Sequence, residues 1–259
     1  MSSEEVIVED IGPARWISLN RPDCRNGLTP DVGKRVIDAV RSAHNARVIA
    51  LTGRNAAFSS GLDLRVAMEA GPELVERAEE HLRDFQGMIH AIVDAPQIVI
   101  GIVDGPAVGF GCDLALACDL RIASRRAYFQ ESFAKIGLVP DGGGTWMLPR
   151  LVGLPKALEM VLLADKIPAD IAAGLGLVSR VVDDDKLMDE GRALVARIAS
   201  GPPLAQRHVK RLMRAGLERD FKTSFAAEGR AQIECLRSND VIEGVTAFFQ
   251  KRAPEFQGA

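Results

Sequence analysis

The sequence predicts an α/β protein, with a core of alternating strands and helices followed by an all-helical C-terminal region. Over roughly the first 180 residues, short apolar runs typical of strands alternate with segments that have helical spacing of apolar residues. From residue 185 to 252 almost every segment has helical spacing. The 259 residues are 47% hydrophobic and 26% charged, an ordinary globular composition that excludes a disordered chain. We expect a core over 1–200 and a helical C-terminal oligomerisation region over 201–259.

The first half should contain six strands and two helices. The first two strands flank a Gly12-Pro13 turn, and the first helix has Thr29 as a good N-cap with Pro30 at its first position. The third and fourth strands are continuous apolar runs, as expected for strands buried on both faces. The strands are predicted at 4–9, 14–19, 47–52, 98–103, 119–123 and 127–130, and the helices at 30–43 and 69–94.

The second half should be mostly helical, with one further strand. Proline near the start of two segments favours helices there, at Pro155 and Pro168. A Gly-Pro-Pro sequence at 201–203 separates two of the later helices. Helices are predicted at 155–164, 168–174, 185–199, 202–216, 220–236 and 239–251, and the strand at 177–182.

Charge and cysteine content exclude several classes of function. There are 32 basic and 35 acidic residues, a net charge of −3, which argues against a nucleic-acid-binding protein. The longest apolar run, 98–103, is far too short to cross a membrane, and the acidic N-terminus does not resemble a signal peptide. The four cysteines form no C-x-x-C pair, so we expect free thiols, no metal site and a cytoplasmic protein.

Two glycine-bearing turns follow predicted buried strands and precede helices. They are residues 57–64, read A-F-S-S-G-L-D-L, and residues 105–114, read G-P-A-V-G-F-G-C-D-L. Such turns expose backbone N–H groups at the positive end of a helix dipole. If the two turns converged they would form an oxyanion hole, whereas either turn alone is as easily explained by tight packing.

A third segment places a carboxylate beside small residues. Pro140 precedes Asp141, and three glycines follow it. Glycines remove side chains around the carboxylate, so Asp141 is suited to line a ligand cavity. Alternatively, Asp141 begins a turn or caps the next helix.

Four motifs in this order resemble the crotonase superfamily, the enoyl-CoA hydratase/isomerase family. They are R-P-x-x-x-N-x-L-T from Arg21, A-F-S-x-G-x-D-L from Ala57, G-x-A-x-G-x-G-C-D-L from Gly105 and E-G-x-x-A-F-x-x-K-R from Glu243. The resemblance implies a crotonase-like spiral of ββα units with a helical C-terminal trimerisation region. It also implies an acyl-CoA thioester substrate, whose coenzyme A is part of the substrate, and no separate cofactor.

The same resemblance implies roles for particular residues. The backbone N–H groups of Ser60 and Phe110 would form the oxyanion hole for a thioester enolate. Substrate contacts would come from the segments around these turns and from one C-terminal lysine. These residues are Arg25, Ala57, Ser59, Gly61, Leu62, Asp63, Leu64, Gly109, Phe133 and Lys251. Asp63 is more simply read as a structural cap, and Lys251 has an alternative role as an ordinary surface lysine.

The carboxylates decide which reaction is implied. Hydratases of the family typically use two glutamates, which fall at Asp113 and Phe133, and Phe133 cannot ionise. The segment around Asp141 instead resembles 1,2-epoxyphenylacetyl-CoA isomerases, in which the matching aspartate is the acid/base. Asp113 departs from that subgroup, and an acid in the first turn of a helix also has a structural explanation.

Three functions therefore stay open at this stage. The first is an acyl-CoA isomerase that moves a double bond or opens a ring epoxide, with Asp141 as acid/base. The second is an enoyl-CoA hydratase that uses Asp113 and Asp141 together. The third is a non-catalytic acyl-CoA-binding protein. The apolar stripes of the C-terminal helices, together with the resemblance, predict a homotrimer or a dimer of trimers.

Overall fold

A computed structural model describes residues 4–258 of the chain, and its strands and helices have the following bounds. The strands are β1 Val6–Ile11, β2 Ala14–Leu19, β3 Val48–Gly53, β4 Ile98–Val103, β5 Pro106–Val108, β6 Leu120–Ser124, β7 Tyr128–Gln130, β8 Ile167–Pro168 and β9 Arg180–Val182. The helices are α1 Pro30–Arg41, α2 Leu64–Ala70, α3 Pro72–Glu76, α4 Ala78–Asp94, α5 Phe110–Ala117, α6 Gly144–Val152, α7 Leu154–Leu163, α8 Ala169–Gly174, α9 Leu187–Ala199, α10 Pro203–Gly216, α11 Phe221–Leu236 and α12 Asn239–Gln250.

Six strands form the main sheet, in the order β1-β2-β3-β4-β6-β9. β1 and β2 are an antiparallel hairpin, and every later pair in this sheet is parallel. A small second sheet has the order β5-β7-β8. Because β3 and β4 are parallel neighbours, the turns that follow them leave the same edge of the sheet, which brings the two glycine-bearing turns together.

The main sheet is buried on both faces, as the apolar runs of β3 and β4 predict. On one face, α1, α4 and α5 cover the sheet with residues such as Met88 and Ile92. On the other face, α9 places Leu187 and Val195 against Trp16 and Ile102. None of the helices in residues 4–258 has the length and apolarity needed to span a membrane.

The predicted elements agree closely with the observed ones, but one predicted helix is wrong, and helix α6 and the short strands β5 and β8 are absent from the prediction. The single helix predicted over 69–94 is wrong, because the chain forms three helices there. Gly71 has φ +52° and ends α2, Pro72 starts α3, and Arg77 separates α3 from α4. Helix α6 is not among the predicted helices, since two glycines precede it, Gly144 is its first residue and Pro149 lies inside it.

The C-terminal helices are only partly packed on the core. Helix α10 is fixed to it by the buried Lys210 and by Arg214, which both form ion pairs with Asp119, at 2.8 and 2.7 Å. Helices α11 and α12 lie outside α10 and leave large apolar side chains exposed. These include Phe221, Phe225, Ile233, Leu236, Ile242, Val245, Phe248 and Phe249.

Candidate active site

The two glycine-bearing turns are joined directly by backbone hydrogen bonds. The N–H groups of Phe58 and Ser59 donate to the carbonyl oxygen of Pro106, at 3.1 and 2.9 Å. In return, the N–H of Val108 donates to the carbonyl oxygen of Ser59 at 3.0 Å. The turns therefore converge, which the sequence could suggest but not establish.

The free N–H groups at this junction belong to Leu62 and Phe110. The N–H of Ser60, expected to be one of the oxyanion donors, is already used, because it donates to the carbonyl oxygen of Arg25 at 2.9 Å. Within residues 4–258, no acceptor is found for the N–H of Leu62 or for that of Phe110, the first residue of α5. The prediction that the Ser60 N–H is free is therefore wrong, and the free N–H of this turn is that of Leu62, two residues later. The prediction for Phe110 is compatible with the geometry.

Glycine is required where the turns meet. Gly61 has φ +81°, and a Cβ atom there would lie 2.5 Å from the carbonyl oxygen of Val108 and 3.4 Å from the nitrogen of Phe110. Both the left-handed backbone and the close approach exclude a side chain. Gly109, with φ +53°, likewise turns the chain into α5. These glycines hold the Leu62 and Phe110 peptides side by side.

A cavity of about 90 Å³ opens beside the two free N–H groups. Its wall is largely apolar, and Phe85 and Phe110 contact each other edge to face with ring centroids 5.2 Å apart. It brings together eight of the residues selected from the sequence with four that were not selected. The lining residues are Ser60, Gly61, Leu62, Leu64, Phe85, Gly109, Phe110, Ser132, Phe133, Ile136, Leu138 and Asp141.

Asp141 is the one carboxylate in the lining of this cavity, counting residues 4–258. It follows Pro140 and precedes the glycines at the start of α6, and Gln86 of α4 donates a hydrogen bond to its backbone carbonyl at 3.2 Å. Its Oδ1 atom is buried without a hydrogen-bond partner. Burial raises the pKa of Asp141 above its ordinary value of 3.8, because the charged form is less well solvated. A raised pKa suits a group that must both take up and return a proton.

Asp113 lies behind the cavity wall and anchors the loop that carries Asp141. Its side chain is fully buried on α5, and Oδ2 accepts a hydrogen bond from the N–H of Gly142 at 2.9 Å. Gly142 and Gly144 lie so close to the carboxyl group that neither position has room for a Cβ atom. Burial, and then the nearby charge of Glu131, raise the pKa of Asp113 well above its ordinary value.

Glu131 is a third carboxylate at this site and is not among the residues predicted from the sequence. It follows β7 directly and is fully buried, and within the described residues neither carboxyl oxygen accepts a hydrogen bond from an N–H or O–H group. Burial raises the pKa of Glu131 to about 7; a hydrogen bond from the Cys112 thiol acts in the opposite direction, and the charge of Asp141 adds to the rise. No motif includes Glu131, so only its place at the end of a short strand beside the glycine-bearing turns could have drawn attention to it.

Three of the predicted substrate-contact residues support the turns and do not line the cavity. Asp63 caps α2 by accepting the N–H of Arg65 at 3.2 Å and forms an ion pair with Arg21 at 2.9 Å, which agrees with its alternative reading as a cap. The Ser59 hydroxyl accepts the N–H of Gly61 at 3.1 Å. The carbonyl of Ala57 accepts a 2.7 Å hydrogen bond from the Asn26 side chain.

Two further predicted contacts, Arg25 and Lys251, are exposed and lie outside the cavity lining. Arg25 contributes its backbone carbonyl, which holds the Ser60 turn. Lys251 ends α12 with a left-handed backbone, φ +54°. A role for either side chain toward the coenzyme A portion stays a prediction.

Comparison with known proteins agrees with this architecture. The model of the family described as enoyl-CoA hydratase/isomerase matches residues 14–259. A crystal structure of an enoyl-CoA hydratase from a Polaromonas species has a TM-score of 0.94 and 29% identity, covering 97% of this chain and 99% of the other. A crystal structure of an enoyl-CoA hydratase from Bacillus anthracis has a TM-score of 0.93 and 30% identity, covering 99% of this chain and 100% of the other. The chain belongs to the enoyl-CoA hydratase/isomerase family and has the crotonase fold.

Named relatives within the family include both hydratases and an isomerase. A Rhodobacter capsulatus protein named "probable enoyl-CoA hydratase" is 40% identical over 243 residues, 93% of each chain. The 1,2-epoxyphenylacetyl-CoA isomerase of Escherichia coli is 33% identical over 249 residues, 93% of this chain and 94% of its own. The short-chain-enoyl-CoA hydratase of Clostridium acetobutylicum is 32% identical over 263 residues, 98% of each chain.

Proposed function

We propose that this protein is an acyl-CoA isomerase that moves a double bond, or opens a ring epoxide, through a thioester enolate. The observation that carries the proposal is the pairing of one cavity-lining carboxylate, Asp141, with two free N–H groups, those of Leu62 and Phe110. The thioester oxygen would accept hydrogen bonds from both N–H groups. The apolar wall would hold the acyl portion of the substrate.

A proton shift needs only these groups. The Asp141 carboxylate removes a proton from the α-carbon of a 3-enoyl thioester, and the electron pair moves onto the thioester oxygen as an enolate. When the carbonyl re-forms, the double bond shifts and Asp141 returns the proton to the γ-carbon. Each preorganised N–H donor is worth about 3–4 kcal/mol in comparable sites. No electrons are gained or lost overall, so the proposed reaction needs no redox cofactor, and the two N–H groups would stabilise the enolate without a metal ion.

The position of Asp113 favours this reaction over hydration. Hydration is easier with two acids, because one activates the water while the other protonates the α-carbon. Asp113 is fully buried behind the cavity wall, and its carboxylate accepts a hydrogen bond from the N–H of Gly142, the residue after Asp141. Asp141 is left as the single acid in contact with the cavity, which is sufficient for a proton shift.

Enoyl-CoA hydratase is the second candidate, and two observations favour it. The named relatives include more hydratases than isomerases. Asp113 also lies close enough to Asp141 that the charge of Asp141 contributes to the raised pKa of Asp113.

One experiment separates the candidates. The purified protein is incubated in deuterium oxide with a 3-enoyl-CoA, a 2-enoyl-CoA and an epoxyphenylacetyl-CoA, and the products are followed by NMR. Isomerisation or epoxide opening without 3-hydroxyacyl-CoA supports the proposal, whereas 3-hydroxyacyl-CoA from the 2-enoyl substrate supports the hydratase. Binding without any turnover or deuterium incorporation would identify a non-catalytic acyl-CoA-binding protein.

We also propose that the active unit is a homotrimer or a dimer of trimers. The exposed apolar side chains of α11 and α12, among them the stacked pair Phe221 and Phe225, support this proposal. Water-exposed aromatic pairs of this kind are costly unless a partner covers them.

A further inference from the structure

Glu131 is a buried acid that the proposed reaction does not use. It lies between Gln130, whose carbonyl accepts the Gly109 N–H at 2.7 Å, and Ser132, which lines the cavity. Its backbone therefore borders the active site, while its side chain is fully buried, and within the described residues no N–H or O–H group donates to either carboxyl oxygen. A charged carboxylate is strongly disfavoured when it is buried without a cation or N–H donor, so the neutral form of Glu131 is favoured here.

The groups that face Glu131 are acids and a thiol. They are Cys112 and Asp113 from α5, and Asp141 from the glycine loop, which comprises residues 141–144; the Cys112 thiol donates a hydrogen bond to the Glu131 carboxyl group. Within residues 4–258 none of the three carboxylates forms an ion pair with a lysine, arginine or histidine. One oxygen of Asp113 and one of Asp141 are also buried without a partner. The acids therefore form a cluster with unpartnered acceptors and no nearby cation.

Building on the proposed function, we propose that Glu131 is a positioning residue for Asp141. Glu131, Asp113 and Asp141 form a buried cluster of three acids, and Glu131 is its neutral, protonated member. In this form it adds no second negative charge beside the carboxylate of Asp141, which contacts the substrate. Neutral carboxyl groups can donate a hydrogen bond, and the cluster offers unpartnered oxygens to accept one. A second charge here would oppose an enolate forming next to Asp141. The working state therefore has Asp141 charged and Glu131 protonated.

The first test is the pH dependence of turnover in Glu131→Gln, since glutamine imitates the neutral acid in shape and charge. In the unsubstituted protein, kcat/KM for the 3-enoyl-CoA should fall above about pH 7 as Glu131 ionises. In the variant that fall is absent, so the ratio of kcat/KM at pH 8.5 to that at pH 6 rises at least about fivefold. The matched control is Glu9→Gln, the same change at an exposed site on β1. Identical profiles in all three proteins would overturn the proposal.

The second test needs no substrate and separates this proposal from the proposed function. The Asp141 carboxyl is followed by ¹³C NMR in aspartate-labelled protein and assigned by its loss in Asp141→Asn. In the unsubstituted protein its shift should show a second step near pH 7, when Glu131 ionises. In Glu131→Gln that step should disappear. A protein without turnover but with this step would refute only the proposed function, whereas absence of the step refutes the role of Glu131.

Discussion

The peptide N–H of Gly142 donates a hydrogen bond to Oδ2 of Asp113 at 2.9 Å, and this bond fixes the residue next to Asp141 to helix α5. Because α5 begins at Phe110, the same helix carries one of the two free N–H groups and the anchor of the loop that holds Asp141. The distance between Asp141 and the N–H of Phe110 is thus set by one helix.

Removing the anchor should cost both stability and activity. Asp113→Ala leaves the buried N–H of Gly142 without an acceptor, which costs about 1–3 kcal/mol in the free energy of unfolding. In Asp113→Asn the amide oxygen can still accept that N–H, so we expect stability close to that of the unsubstituted protein and a loss in kcat of no more than about tenfold. Urea unfolding and steady-state kinetics measure the two effects. A loss of a thousandfold in a well-folded Asp113→Asn would favour the hydratase.

Asp141→Asn should remove the proton acceptor without disturbing the fold. A positioned acid/base contributes about 10²–10⁴-fold to rate, so we expect a loss of that size in kcat and in α-proton exchange. In the unsubstituted protein, kcat/KM should rise with pH through the pKa of Asp141, which burial places above 3.8, because only the carboxylate can take up a proton. Exchange at the full rate in Asp141→Asn would show that another group is the base.

The junction of the two turns can be tested with a matched pair of glycine substitutions. Gly61→Ala places a Cβ atom 2.5 Å from the carbonyl of Val108 at φ +81°, whereas Gly12→Ala has a left-handed backbone, φ +57°, and nothing within 4 Å. The left-handed conformation alone costs about 1–2 kcal/mol. We expect Gly12→Ala to show only this loss and to keep its activity, and Gly61→Ala to lose more stability and nearly all turnover. Equal effects would mean that the close approach at Gly61 is unimportant.

The stability of the protein should depend on Glu131 in a defined pH range. Between its unfolded pKa of 4.5 and its folded pKa of about 7, Glu131 keeps its proton only in the folded state. The unfolded state then binds fewer protons, so the free energy of unfolding falls as pH rises through this range. Glu131→Gln removes this loss, and its stability relative to the unsubstituted protein should increase by up to about 3 kcal/mol from pH 4.5 to pH 8. Chemical unfolding of both proteins at several pH values measures this difference in the free energy of unfolding. A difference that stays constant with pH would contradict the prediction.

Assembly can be tested at the stacked phenylalanines of α11. Light scattering should give three or six times the chain mass of 27.9 kDa. Phe225→Asp should dissociate the assembly, because it places a charge on an apolar surface, whereas Lys222→Asp on the same helix should not. A mass near that of one chain for the unsubstituted protein at micromolar concentration would refute the trimer. Because the resemblance implies that the C-terminal region helps to complete the site, truncation after residue 200 should remove both assembly and activity.

Most of the core could be predicted from sequence, since buried parallel strands and amphipathic helices have distinct periods. Strand β4 was located to the residue and β3 within one. Helix α6 could not be predicted from local propensity, because glycines lie at its start and Pro149 lies inside it. Its start is held instead by contact with Asp113, a residue about 30 positions away, and such long-range contacts leave no periodic signal.

The site was predicted less completely than the fold. The motifs around Asp141 and Phe110 select both residues, and both line the cavity, while their chemical roles stay predictions. Ser60 was chosen in place of Leu62 because the sequence does not show which N–H groups are already hydrogen-bonded, and the partner of Ser60, Arg25, lies 35 residues earlier in the chain. Glu131 was overlooked because burial and proximity to other acids, which make it unusual, arise only when β7, α5 and the glycine loop are brought together.

The two proposed oxyanion donors are peptide N–H groups, so most side-chain substitutions leave them in place. Among substitutions at Leu62 or Phe110, only proline removes the backbone N–H. The side chains that line the cavity can therefore change while both N–H groups are kept. The acids have no such protection, since each is a single side chain. Directed evolution of this protein toward new acyl groups should therefore tolerate variation at the half-buried Leu62, and apolar replacements of similar size at the buried Phe110, whereas a change of reaction type should require the exchange of carboxylates.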